Sequence, residues 1–250
     1  MPDTSLKITY IGGPTALLEF GGVRLLTDPT FDPAGGAYPS GPVVLRKTRG
    51  PALSPEQVGH VHVVLLSHHH HSDNLDRTGR EVVEAAEVVL TTPEGAEVLH
   101  GGAISLRAWE SVDLPAPEGR VLQVTATPAR HGPAHMDRGP VIGFVAAFTD
   151  APEEPLYVSG DTVWFDGVAE VAQRYPVKTA ILFLGAARVE AVGPWHLTMT
   201  AAEAVEAARA FVGARIVPLH YEGWEHFSEG RTEIERAFRA AGIEHRLWWA

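Results

Sequence analysis

His62-Val63-Val64-Leu65-Leu66-Ser67 runs straight into His68-His69-His70-His71-Ser72-Asp73-Asn74-Leu75-Asp76. The first six residues are an apolar run of strand length. They deliver four consecutive imidazoles and then a carboxylate to the point where the strand must end. Imidazole and carboxylate are the usual nitrogen and oxygen ligands of zinc and similar divalent ions. Two histidines one residue apart in an extended or turning segment can face the same side, and an Asp two residues on can reach a neighbouring position. A histidine run by itself reads equally well as an exposed polar loop, and this local set begins a metal site without completing it.

The completing residues recur in one context. His131 follows VLQVTATPAR, Asp161 follows LYVSG and His220 follows RIVPL. Each leaves an apolar strand and opens a loop. A single strand-end His or Asp is ordinarily a cap or a turn residue. Four such places together point to strands lying side by side, or in facing sheets, whose ends converge on one rim of a rigid scaffold.

Around these points short strands alternate with helices. Residues 6–10, 16–20 and 23–27 read as strands, the last two joined by a Gly21-Gly22 turn. Residues 28–55, rich in Pro and Gly, read as a long irregular loop. Residues 75–87 read as a helix, 88–91 as a strand, and Pro93 opens a short helix. In the second half, 121–127, 141–148, 156–159, 179–184 and 215–219 read as strands. Residues 168–174, 200–211 and 233–240 read as helices, the second behind a Thr200 cap, and 245–249 as a final strand. No repeat or low-complexity linker divides the chain, so residues 1–250 are expected to form one layered α/β (α+β) domain.

Composition narrows the function. Lys and Arg number 20 against 31 Asp and Glu, a net charge of −11, which disfavours a nucleic-acid partner. There is no cysteine, so any metal must be held by N and O ligands. The first ten residues lack the charged and apolar regions of a signal peptide, and no apolar run approaches the ~18 residues of a membrane span. A cytoplasmic protein acting on a small-molecule substrate is expected, with its oligomeric state open.

In these residues the sequence resembles the metallo-β-lactamase superfamily. Its hallmark loop, His-x-His-x-Asp-His, is matched by His69-x-His71-x-Asp73-Asn74, with Asn74 in place of the last His. His131 matches the third ligand, Asp161 the bridging carboxylate and His220 the final His. The resemblance spans nearly the whole chain. It implies an αββα sandwich, two mixed β-sheets face to face with helices outside. Tyr10-Ile11-Gly12-Gly13, Leu26-Thr27-Asp28-Pro29 and His196-Leu197-Thr198-Met199-Thr200 are similar to the branch of L-ascorbate phosphate lactonases and phospholipase-D-like enzymes.

The resemblance implies a metal-dependent hydrolase that uses a metal-activated hydroxide on a small phosphoester, lactone or related ester. One or two divalent ions are expected, zinc first, with manganese, iron or nickel as alternatives. The implied metal ligands are His68, His69, His71, Asp73, His131, Asp161 and His220. The family's first ligand directly follows a Ser or Thr, which gives His68, whereas counting back from Asp73 gives His69. Asp73 is also a candidate base, and His196 a candidate donor to the leaving group. Asp28 is a candidate partner of a ligating His, and Tyr221, Trp224 and His226 candidate pocket walls. His60, His62, His100 and His245 are given no role. Two competing functions are a di-iron redox protein of the same fold and a non-catalytic metal-binding module.

Overall fold

In both halves of the chain, strands that are apolar on successive residues bury both of their faces, as strands sandwiched between two layers must. Leu18 and Leu25 point into the space between two sheets, while their neighbours Leu17 and Leu26 point outward under helices. The computed structural model describes residues 4–40, 43–99 and 102–250. Met1 to Asp3 at the start of the chain, and His100, lie outside the described residues.

The strands of the first half are Leu6–Gly12 (β1), Thr15–Phe20 (β2), Val23–Thr27 (β3), the hairpin Ala37–Ser40 (β4) and Val43–Arg46 (β5), Val63–Leu65 (β6), Val88–Thr91 (β7) and Ile104–Ser105 (β8). Those of the second half are Ser111–Pro115 (β9), Val121–Pro128 (β10), Ile142–Phe148 (β11), Ala151–Val158 (β12), Thr179–Phe183 (β13) and Arg215–Leu219 (β14). Helices are Pro55–Val58 (α1), Arg77–Ala85 (α2), Pro93–Val98 (α3), Asp166–Arg174 (α4), Ala201–Ala210 (α5) and Arg231–Ala240 (α6).

Two six-stranded sheets result, ordered β1-β2-β3-β6-β7-β8 and β14-β13-β12-β11-β10-β9. Each is antiparallel over one part and parallel over the other, so both are mixed. Their facing sides share one core, in which the Phe20 and Phe148 rings meet at 5.1 Å across the sandwich. The outer face of the second sheet is covered by α4, α5 and α6 through Val168, Val171, Ala204, Ala208, Ile234 and Phe238. The outer face of the first is covered by Val58 of α1, Val83 of α2 and Leu99. This is the αββα sandwich the resemblance implies.

Strand direction puts the chemistry on one rim. β3 and β6 are parallel, and so are β12, β13 and β14. β10 and β12 both run antiparallel to β11 and therefore point the same way. Asp28, His68, His131, Asp161 and His220 thus all leave the carboxyl ends of their strands. Ile142 N donates to Ser67 O at 3.1 Å and ties the two sheets together at that rim.

Two expectations need correction. Residues 28–55 are not wholly irregular, since they hold β4 and β5 and end on the first residue of α1. The hairpin pairs Ala37 with Arg46 through Ser40 with Val43, and its Pro39 is tolerated because the ribbon is only two strands wide. Residues 245–249 do not form a strand. Glu244–Arg246 is a 3-10 turn, and only Leu247 bridges β14, at Ile216. Arg246 causes the departure by donating its guanidinium to the carbonyls of Ala208, Phe211 and Ala214 at the end of α5, which holds the backbone in a turn.

Asp76 organises the region behind the histidine run. It caps α2 by accepting from Gly79 N at 2.8 Å, and it also accepts from Phe31 N at 2.9 Å and Asp32 N at 2.7 Å. Gly79 is required there because a Cβ would lie 1.9 Å from Pro29 O. Lys47 Nζ lies 2.9 Å from Asp76 Oδ2, with the two side chains only 3% and 0% exposed. Removing one member of a buried ion pair strands the other charge in a low dielectric. Lys47→Ala is therefore expected to destabilise the fold by about 3–5 kcal/mol, read as a lower urea midpoint. A midpoint within experimental error of the parent's would show that Asp76 does not need the ammonium.

Candidate metal centre

The rim brings the predicted residues to one place. Asp28, Ser67, His68, His71, Asp73, Asn74, His131, Asp161 and His220 are all buried. For so many polar groups to be buried, each needs a partner, and the pattern of partners is informative.

Ser67 fixes His68. Its hydroxyl donates to Asp28 Oδ2 at 2.7 Å, which consumes its only proton, so at 2.9 Å it accepts from His68 Nδ1–H. The lone pair of neutral His68 is then on Nε2. His131 Nδ1–H donates to the Leu197 carbonyl at 3.0 Å, which leaves its lone pair on Nε2 as well. Both nitrogens face His71 Nδ1, at 3.0 Å from His68 and 3.2 Å from His131. One proton on His71 Nδ1 can serve one of them but not both. Three ring nitrogens converging this way form one face of a ligand shell. Around a tetrahedral ion with bonds of 2.0–2.1 Å the edges of that face are about 3.3 Å. Burial, and after it the neighbouring imidazoles, hold His68 far below the usual histidine range and bring His71 down to about 3, so both remain neutral donors.

The carboxylates point the same way. Asp161 Oδ1 accepts from His220 Nδ1–H at 2.8 Å, while Asp161 Oδ2 lies 3.7 Å from His131 Nε2 and has no hydrogen-bond partner. His220 Nε2 is likewise buried without a partner, 3.7 Å from Asp73 Oδ2. Asp73 Oδ2 meets His226 Nε2 at 3.0 Å, and Asp73 Oδ1 is unpartnered. Two trios, His68/His131/Asp161 and Asp73/Asp161/His220, each bring one ligand atom per residue within 4.8 Å of the others, with Asp161 common to both. Burial opposes charge on Asp73 and Asp161, yet the surrounding imidazoles, His226 for Asp73 and His220 for Asp161, hold both below the ordinary carboxylate range. His220 is the converse. Burial favours its neutral form, but Asp161 and then Asp73 and Asp28 outweigh it and raise its proton affinity. For Asp28 burial outweighs the hydrogen bonds from Ser67 and pushes it up to about 8.

None of Asp28, Asp73 and Asp161 has a Lys or Arg partner among the described residues. Buried carboxylates among imidazole nitrogens, with no lysine or arginine to neutralise them, are the donor set of a cation site, and these residues fit one or two divalent ions. His220 also holds a left-handed backbone conformation, φ 54°, pinned by its N–H to Gly13 O at 2.8 Å. Strain of this kind persists where the surroundings over-determine a functional residue.

His68, His71, Asp73, His131, Asp161 and His220 are thus brought together, and of the two candidates for the first ligand it is His68 that lies among them. His69 is half-buried, with its backbone carbonyl accepting from Arg80, and belongs to neither trio. His70 Nε2 instead reaches Arg138 O at 2.9 Å. His196 Nε2 lies 2.9 Å from Glu203 Oε2, beside the start of α5. A narrow cleft with a volume of about 20 Å³ opens over His71, Asp73 and His131. Val43, Leu45, Ala187, Val189 and Leu197 line it together with Ser40, Arg138 and His226, and His196 is not among these residues. The direct contact of His226 with Asp73 went unread in the sequence, where the only signal was a second histidine in the loop opened by His220.

A family model described as "Beta-lactamase superfamily domain" matches residues 23–221. A "UPF0173 metal-dependent hydrolase" of Pyrobaculum arsenaticum is 26% identical over 223 residues, covering 86% of this chain and 84% of the relative. A solved structure of a possible metal-dependent hydrolase from Veillonella parvula superposes with a TM-score of 0.84 at 20% identity, over 99% of this chain and 97% of that one. The isothiocyanate hydrolase from Delia radicum gut bacteria gives 0.79 at 23% identity, over 97% and 95%.

The Ser67 hydroxyl sets which nitrogen His68 presents. Ser67→Ala is expected to weaken metal binding by about 10–100-fold, measured by competition with a chromophoric chelator. Removing the metal should also leave the buried carboxylates uncompensated. With metal at roughly 1,000 times its dissociation constant, stripping is expected to lower the midpoint of thermal unfolding by about 10 °C, seen by calorimetry before and after chelation.

Proposed function

As a member of the beta-lactamase superfamily the chain is a metal-dependent hydrolase, and we propose that it acts on small, largely apolar molecules carrying a carbonyl-like or phosphoryl electrophile, such as a lactone, ester or small phosphoester. The observation that carries this reading is the convergence of three ring nitrogens, from His68, His71 and His131, at the base of a cleft with apolar walls that His71 and His131 line. His68, His71, His131 and Asp161 would hold a first divalent ion, and Asp73, Asp161 and His220 are the core of a second position. Such an ion, when bound, supplies Lewis acidity that brings the ionisation of water toward neutral pH.

The chain's own residues supply the remainder. Ser67 and the Leu197 carbonyl orient His68 and His131 before any substrate arrives, which avoids reorganisation during the reaction. Val43, Leu45, Ala187, Val189 and Leu197 bind the apolar part of the substrate and exclude water from the floor. Asp73 Oδ1, buried and free of hydrogen bonds, can accept the proton of the attacking water. Arg138 lines the same cleft and can receive the oxygen on which negative charge develops or leaves. An isothiocyanate, the substrate named for one structural neighbour, has an electrophilic carbon on an apolar tail and suits such a cleft. Of the metals expected from the sequence, zinc remains the proposed first choice because it takes imidazole and carboxylate in small shells.

The test is a panel of a γ-lactone, an aryl ester, a small phosphodiester and an organic isothiocyanate, assayed with stripped and reloaded protein. Hydrolysis of at least one class is expected, lost on stripping and regained with Zn²⁺. His131→Ala should reduce kcat/KM by at least about 100-fold, as removal of a transition-state stabilising group does. Visible absorption with oxygen uptake and no hydrolysis would favour redox chemistry, and turnover unaffected by stripping would sink the proposal.

A further inference from the structure

Asn74 stands where the family's loop carries its last histidine, and the structure shows how that side chain is used instead. Its amide turns to Asp28, with Nδ2 3.4 Å from Oδ2, and its backbone N–H donates to His71 O at 3.2 Å. Asn74 therefore holds the loop closed from behind and leaves the second trio, Asp73, Asp161 and His220, with a single imidazole against the three of the first position.

A different imidazole stands beside that trio. His226 Nε2 lies 3.0 Å from Asp73 Oδ2, the same oxygen that His220 Nε2 approaches at 3.7 Å. A separation of 3.0 Å is a hydrogen-bond distance, a few tenths of an ångström shorter than the edge of about 3.3–3.6 Å expected for an oxygen and a nitrogen sharing one tetrahedral ion at 2.0–2.2 Å, so a small opening of this pair would let both reach one ion. The His226 side chain is only 9% exposed, lines the cleft beside Asp73, and keeps Nδ1 buried without a partner. Its placement is not incidental. The loop carrying it is paired to the segment after the β4–β5 hairpin, with Thr48 N donating to Gly223 O and Glu225 N to Arg46 O. Arg188 N donates to the His226 carbonyl at 2.8 Å, and Phe227 packs against the ring at 4.7 Å. Three segments far apart in sequence thus fix one ring against Asp73.

We infer that His226 supplies the nitrogen that Asn74 does not, so that the second metal position is held by Asp73, Asp161, His220 and His226. This inference depends on the metal-hydrolase reading above. It gives an N₂O₂ donor set to the second position and an N₃O set to the first, with Asp161 between them. Zinc accepts both sets.

The test counts metal and does not need a substrate. Full-length protein purified without an immobilised-metal column is saturated with Zn²⁺ and analysed for metal per chain. Co²⁺ titration followed by absorption gives the affinity of each step. Two equivalents are expected for the parent and for Asn74→Ala. One is expected for His226→Ala and for the size-conserving His226→Gln, with second-step Co²⁺ affinity weakened at least 100-fold. Retention of the first equivalent in these variants reports that the fold and first position survive. Two equivalents with unchanged affinity in the His226 variants would overturn the inference, as would a parent that saturates at one, or loss of both equivalents in both His226 variants. A parent that binds no metal would overturn the metal-hydrolase reading itself.

Discussion

Negative charge buried at the end of a sandwich is the condition from which this architecture follows. Asp28, Asp73 and Asp161 lie almost fully out of water, and no lysine or arginine of the described chain reaches them. An isolated carboxylate in such a place neutralises itself or is paired. Asp28 shows the first tendency, drawn up toward neutrality with only Ser67 and Asn74 to stabilise its charge. Asp73 and Asp161 show the second, held ionised among imidazoles. The nearby Asp76 makes the contrast clear. It has Lys47, and with that partner it serves as a structural cap rather than as a ligand.

The sandwich is suited to holding this condition because it is stiff where the charges lie. Every ligand-bearing loop leaves a strand whose two faces are packed, and the two sheets are bonded to each other beside Ser67. The cost of bringing carboxylates together is therefore met by the whole core rather than by the loops. The donors need no reorganisation when an ion or a substrate arrives, which is the condition under which electrostatic catalysis is most effective.

Much of this was legible in the sequence because strand-end chemistry is local. The run through His71, and His131, Asp161 and His220, each announce themselves by following an apolar strand, and the capping pattern at Thr200 marks α5. The sandwich itself was legible through the resemblance of those same motifs. What was not legible depends on contacts between distant segments. The placing of His68 rather than His69 among the clustered side chains is tied to the Ser67 hydroxyl, which donates to Asp28, 39 residues away, and meets His68 Nδ1. The β4–β5 hairpin was hidden because its first strand, Ala37-Tyr38-Pro39-Ser40, carries a proline and lacks the apolar run of a core strand. The last segment carries strand-forming residues, but Arg246 engages the end of α5 and overrides them. His226 was read only as wall, because its neighbour Asp73 comes from the other sheet's loops.

The β4–β5 hairpin has a further consequence. It contributes Ser40, Val43 and Leu45 to the cleft, yet it belongs to neither sheet and supplies none of the metal-ligating atoms. It is attached through Lys47, through Tyr38 to Asp32 and the Trp224 ring, and through the backbone bonds that join residues 46–49 to 223–225. Such a ribbon is an exchangeable cassette. Its length and side chains can diversify by mutation or recombination, remodelling what enters the cleft while the reactive floor is inherited intact. Evolution of new selectivity in this scaffold can therefore proceed at the wall, with the catalytic apparatus shielded from the search.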